Sequence, residues 1–251
     1  MGNHFIRSIL VAAAMLAISP GMLAQTPPGS RAVEARPDLS GIWMRATGIV
    51  DSLKHRFAME EPPLQPWAME KYKVHREGVT NPEAEGREDL DPVTYCFPAG
   101  TPRTMLLNLD TPLEIVQLPD RVYIHFERYP LVRRIYMDGR GHPDGYPSTW
   151  MGHSIGEWEG DALVVDTVAL NDKTWLDRTG IPHSDALRVV ERIRRVAKDR
   201  LEIDFLFEDP KTFTKPWGGK KAYRLEPEGE MLEYVPCEEY LEIGSRGWGA
   251  R

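Results

Sequence analysis

The sequence predicts an all-β protein, an antiparallel meander closed into a barrel, with a Pro-rich, partly helical excursion near its start. Three observations predict it. From residue 113 onward, apolar and polar residues alternate with period two in short blocks, as half-buried strands do. Turn-forming residues separate the blocks, among them Pro119-Asp120, Asp138-Gly139 and Glu159-Gly160-Asp161. The 21 Pro and 21 Gly among 251 residues favour many short elements over long helices. Consecutive hairpins that bury one face close into a barrel or a two-sheet sandwich. Apolar residues make up 41% and charged residues 27% of the chain, which excludes disorder and collagen-like repeats. A net charge of -7 disfavours a phosphate-backbone partner, so no nucleic-acid role is expected.

The elements follow in order. Residues 1–24 read as a secretory signal peptide: His4 and Arg7 precede the apolar run Ser8–Ser19, Pro20-Gly21 breaks it, and Ala24 offers a cleavage point. The run is short for a membrane span, and no later segment is apolar enough for one. The expected product is therefore periplasmic or secreted, with no membrane span after cleavage. Residues 25–37 read as a flexible arm, and residues 38–251 as a single barrel domain. Leu39–Arg45 is its first strand. Residues 47–112 carry Pro62, Pro63, Pro66, Pro82, Pro92, Pro98, Pro102 and Pro112, and read as an excursion over the main body with one helix at Trp67–Val74. The remaining strands are Leu113–Leu118, Arg121–Arg128, Leu131–Met137, Ser154–Trp158, Ala162–Val168, Ala186–Arg195, Leu201–Phe207, Ala222–Leu225 and Met231–Val235.

Gly41-Ile42-Trp43 resembles the G-x-W mark of the lipocalin and calycin barrels, and implies a lipocalin-like barrel. The chain departs from a compact lipocalin in its length, through residues 47–112, and has no clear counterpart of the other lipocalin motifs. The stretch Thr149–Arg178, with His183-Ser184 beyond it, resembles a widespread group of secreted bacterial proteins of unassigned function. That resemblance runs over nearly the whole chain after residue 24. It implies secretion and a β-barrel, and no particular chemistry.

Four features carry chemistry. Gly152-His153-Ser154-Ile155-Gly156 is a literal G-x-S-x-G, yet a nucleophile elbow needs a strand before the Ser and a helix after it, and neither is predicted. The expectation is the start of a strand where Gly permits tight packing. His142, His153 and His183 fall on loops or loop–strand junctions, where imidazoles either ligate a metal or exchange protons near neutral pH. Period two places Glu191 beside Leu187, Val189 and Ile193, so a carboxylate points where apolar side chains point; Arg134 is its expected partner. The same periodicity puts Asp166 with Val164 and Val168, His125 with Tyr123, and Tyr136 with Arg134. Finally, Asn171–Arg178 packs Trp175 between Asp172, Asp177 and Arg178, as a loop over a barrel mouth does when it carries function. Cys96 and Cys237 form one disulfide in an oxidising compartment or remain two buried thiols.

These residues lead to a small-molecule enzyme doing acid–base work, of the lyase, dehydratase, hydratase or isomerase type, on a hydrophobic or aromatic substrate in the barrel mouth. His153 and His183 are the expected acid and base, Asp172 or Asp177 the orienting carboxylate, and Arg178 the group that stabilises developing negative charge. Trp150, Trp175, Tyr136, Arg134, Glu191 and His125 are the expected substrate-binding residues. No Gly-rich phosphate loop is present and no cofactor is expected. Two other readings stay open: a periplasmic carrier of an apolar ligand without chemistry, and a metalloenzyme that binds a divalent metal through His142, His153 and His183.

Overall fold

The computed structural model describes residues 36–46, 57–58, 60–80, 91–106, 111–128 and 131–233. The chain divides into two units, Met1–Glu34 and Ala35–Arg251, and the barrel belongs to the second. The expected signal peptide, most of the arm, and Cys237 lie outside the described residues.

Nine strands form a closed barrel in chain order: β1 (Gly41–Arg45), β2 (Leu113–Gln117), β3 (Arg121–Phe126), β4 (Leu131–Tyr136), β5 (His153–Glu159), β6 (Ala162–Val168), β7 (Arg188–Ala197), β8 (Arg200–Glu208) and β9 (Trp217–Leu225). Two helices, α1 (Pro66–Thr80) and α2 (Arg103–Leu106), precede β2. Helix α1 contains the expected helix and begins at Pro66, where a missing N–H costs nothing.

A closed ring of strands that are all antiparallel must contain an even number. Nine is odd, so one neighbouring pair has to run parallel, and it is β4 with β5, Ile135 opposite Ser154 and Tyr136 opposite Ile155. This corrects the expectation of an unbroken antiparallel meander. A parallel pair needs a crossover of a dozen or so residues. Residues 137–152 supply it, carrying the chain back from the end of β4 to the start of β5. Asp138-Gly139, expected as a turn, is the first bend of this crossover.

The last expected hairpin is also corrected. Residues 231–233 lie in no strand, and 234–235 lie outside the described residues. The final strand begins earlier, at Trp217, where Gly218-Gly219 and Lys220-Lys221 break the apolar alternation that would have announced it. It pairs with both β8 and β1 and closes the ring.

The strands bury one face each. Trp43, Ile115, Ile124, Ile135, Leu163, Val189, Ile203 and Phe207 belong to one core cluster in the barrel interior. Trp43 donates through Nε1 to Leu39 O at 2.9 Å, and the Arg195 guanidinium lies over its ring. By strand direction, α1 and the loops after β6 and β8 sit at one end of the barrel, where Gln65 N bonds Thr212 O and Trp67 Nε1 bonds Lys211 O. The β2–β3 turn and the end of β5 lie at the other end.

Candidate functional site

The G-H-S-I-G segment is a strand start. Gly152 has φ +66°, and a Cβ there would fall 2.5 Å from Val168 O. At Gly156 a Cβ would fall 2.6 Å from Met137 Sδ, which enters the barrel at that point. Ser154 faces inward, buried: its Oγ lies 2.8 Å from Thr167 Oγ1 and accepts from Arg133 Nε at 3.3 Å. No His reaches it among the described residues, so no esterase nucleophile is assembled.

His142 and His153 meet. The crossover folds back on the outer wall and brings His142 Nδ1 to 2.8 Å from His153 Nδ1. Two facing ring nitrogens at that distance share one proton in a hydrogen bond. His142 Nε2 is buried without a hydrogen-bond partner, and Asp166 Oδ2 lies 3.6 Å from it. The carboxylate favours the proton on that nitrogen. His142 Nδ1 then accepts from His153 Nδ1–H, and His153 Nε2 keeps its lone pair. This tautomer is assigned from the network. Asp166 is in turn held by Arg188 through Nε and Nη2, both at 2.9 Å, and Arg188 also bonds Glu208. The sequence places Asp166 with Val164 and Val168 on a face expected to be apolar, but Leu163, Val165 and Thr167 take the buried face of β6, and the outer face carries Asp166 to the histidine pair.

Aromatic rings enclose His153. Tyr136 stacks on it at 5.3 Å and Tyr146 leans against it at 4.8 Å. Arg140 covers Tyr136, its Cζ 4.0 Å from the ring centroid. Burial lowers the His153 pKa below the usual 6.5, and the charges of His142 and Arg140 lower it further. A neutral imidazole is therefore the resting state near neutral pH.

His183 is elsewhere. It lies buried between β6 and β7, with Nδ1 3.2 Å from Ser184 O and Nε2 without a hydrogen-bond partner. Burial lowers its pKa, opposed by the Ser184 carbonyl, Asp209 and Asp172. No hydrogen bond or ring contact joins it to His153 among the described residues, so the expected acid–base pair is not assembled. Asp177 caps a local turn, accepting from Thr179 N at 2.9 Å and from Thr179 Oγ1 at 2.8 Å. Asp172 and Arg178 are exposed. The loop is clamped under α1 instead of capping an open mouth: His75 stacks on Trp175 at 4.6 Å and its Nδ1 lies 2.8 Å from Gly180 O.

The expected substrate-binding residues do not converge. Trp150 packs on Phe97 at 5.8 Å. The Arg103 guanidinium lies over Trp175. His125 sits on the outer wall 3.9 Å from Glu114. Arg134 is exposed, lying across Tyr123 and Tyr136. Of the six, Tyr136 alone touches the histidine pair. Glu191 points inward as expected, but its partner is Arg133. Nη1 of Arg133 lies 2.8 Å from Oε1, Nη2 also reaches the carboxylate, and Nη2 donates to Thr167 Oγ1 at 2.7 Å. The reason is a one-residue phase. Arg133 and Ile135 share the buried face of β4, whereas Val132, Arg134 and Tyr136 share the outer one.

Sequence reasoning misses Tyr146, Arg140 and Arg133; proximity across the crossover has no local sequence signal. Among the described residues no group of three His, Cys, Asp or Glu side chains is placed to hold a metal ion, and His183 does not join His142 and His153. Cys96 is disulfide-bonded. No described helix is long and apolar enough to cross a membrane. No family model matches the sequence, and no curated protein matches it.

Proposed function

We propose that the chain is an exported enzyme that moves protons on a small apolar or aromatic molecule, with His153 as the acid–base residue. The observation that carries this reading is the 2.8 Å contact between His142 and His153, with Asp166 behind His142. When His153 Nε2 takes a proton, the positive charge is shared through Nδ1–H with His142 and met by the carboxylate. A carboxylate-backed imidazole works on the same logic in hydrolytic triads. Tyr136 and Tyr146 give the site an aromatic wall and support an apolar or aromatic substrate. The reaction class is that of a lyase, dehydratase, hydratase or isomerase. Export is supported by the apolar run before Pro20-Gly21, and a lipocalin-like assignment by Gly41-Ile42-Trp43 at the start of β1, with Trp43 buried in the closed barrel.

The test works without the product being identified in advance. The protein is incubated in D2O with a panel of aryl and alkyl carbonyl compounds, alcohols and alkenes, and deuterium uptake or a mass change is read by mass spectrometry. Positioned acid–base groups contribute about 10²–10⁴-fold. His153→Ala is expected to lose turnover by that factor and His142→Ala by a smaller one, while His183→Asn keeps it. Turnover undiminished in His153→Ala rules the proposal out, as does the absence of any uptake by the unmodified protein.

A further inference from the structure

At the barrel end away from α1 the structure holds a pocket of about 260 Å³, lined by Arg36, Gln117, Leu118, Pro119, Val122, Met137 and Trp158. It is built by the fold. The β2–β3 turn supplies one side, Met137 enters as β4 gives way to the crossover, and Trp158 comes from the end of β5. Val122 is buried in the core cluster, and Met137 and Trp158 pack against that cluster, so the floor is apolar.

The polar side is sparse and of one sign. Gln117 is turned to the chain's own backbone: its Oε1 accepts from Leu39 N at 3.0 Å and its Nε2 donates to Pro37 O at 3.2 Å. Those bonds anchor the segment that carries Arg36 beside the pocket. Arg36 is exposed and has no carboxylate partner among the described residues. The nearby Asp38 is committed to Ser40 N at 2.9 Å, and Asp120, next to Pro119, is paired with Arg121. No Asp or Glu lines the pocket. The indole N–H of Trp158 has no acceptor among the described residues and is the second donor the wall carries.

We propose that this pocket binds a small apolar monocarboxylate, its carboxylate held by Arg36 at the rim and its hydrocarbon body lying on Val122, Met137 and Trp158. One cation selects a single negative charge; phosphate dianions and nucleotides need several charged donors, and Arg36 is the one charged side chain among the described lining residues. The volume falls just under the roughly 300–1,000 Å³ of sites for drug-sized ligands, which points to a small acid such as octanoate or 3-phenylpropionate. Mouths of β-barrels are common ligand sites. The site is separate from the histidine pair on the outer wall and holds whether or not that pair is catalytic.

The full chain is titrated with octanoate and with 1-octanol, by calorimetry and by following the Trp158 indole N–H in two-dimensional NMR. Saturable binding of octanoate at one site is expected, with the Trp158 signal moving. An exposed ion pair contributes a factor of about 2–5, so octanol should bind that much more weakly, and Arg36→Gln should lose the preference while its circular dichroism stays unchanged. Arg36→Glu should weaken octanoate further and leave octanol alone. No saturable binding, shifts that avoid Trp158, or an octanoate affinity unchanged in Arg36→Glu each overturn the proposal. His153→Ala serves as the control, and its octanoate binding should equal that of the unmodified protein.

Discussion

Arg133 and Glu191 face each other inside the barrel, guanidinium against carboxylate, with Nη1 2.8 Å from Oε1 and both side chains fully buried. Ser154 and Thr167 take the remaining bonds of the guanidinium. Removing one member of such a pair strands the other charge in a low-dielectric interior, at about 3–5 kcal/mol. Arg133→Met and Glu191→Leu should each lose that much in urea denaturation. The double replacement should lose clearly less than their sum, because no charge is then left behind. Additive losses would show that the two residues do not depend on each other.

His183 predicts how stability responds to acid. Burial holds its folded pKa below 6.5, so the unfolded chain takes up the proton first. The stabilising contribution is complete above about pH 6.5 and is lost as pH falls from there toward the folded value, at roughly 1.4 kcal/mol per unit of lowering. His75 and His153 are lowered in the same direction, by burial first in each case, and add to the same limb. The urea midpoint should therefore drop between pH 7.5 and pH 5. His183→Asn should make that drop shallower, whatever it does to stability at pH 7.5. An equal slope in the variant would assign the acid limb to other groups.

The two glycines around His153 should not be equivalent. An alanine at 152 would meet a backbone oxygen, Val168 O, at 2.5 Å and would also have to hold φ +66°. An alanine at 156 would meet the flexible end of Met137 at 2.6 Å, and Ile135 Cγ2 at 2.9 Å. Left-handed backbone costs an L-residue about 1–2 kcal/mol before any clash, and overpacking costs about 1–3 kcal/mol. Gly152→Ala should lower the melting temperature more than Gly156→Ala. The reverse order would mean that Met137 has no room to move.

Much of the barrel is legible in the sequence because alternation is local. Eight strands lie where period two places them, and the same period points Glu191 inward, where it stands. The departures share one physical origin. Val132 is apolar yet 54% exposed, so Arg134 beside it reads as an inner residue and Arg133 does not. Asp138-Gly139 has the chemistry of a hairpin turn, and nothing near it signals that the next strand returns in parallel. The His142–His153 contact follows from that return and has no signature of its own. His183 draws notice by sitting in a loop, but the loop is buried under α1.

The parallel pairing makes the barrel one antiparallel sheet, running from β5 through β9 and β1 to β4 and closed along a single parallel seam. That seam, β4 against β5, is held by only the register of Ile135 with Ser154 and Tyr136 with Ile155. Arg133 reaches across it, from β4 to Ser154 on β5, Thr167 on β6 and Glu191 on β7. On the outside His142, carried by the crossover, grips His153 at the same seam. The shortest strand pairing of the barrel is thus bridged by an ion pair within and by two imidazoles without. The bonds that span the seam come from side chains on both faces of the wall, so the strength of the wall there rests on side chains more than on the backbone ladder.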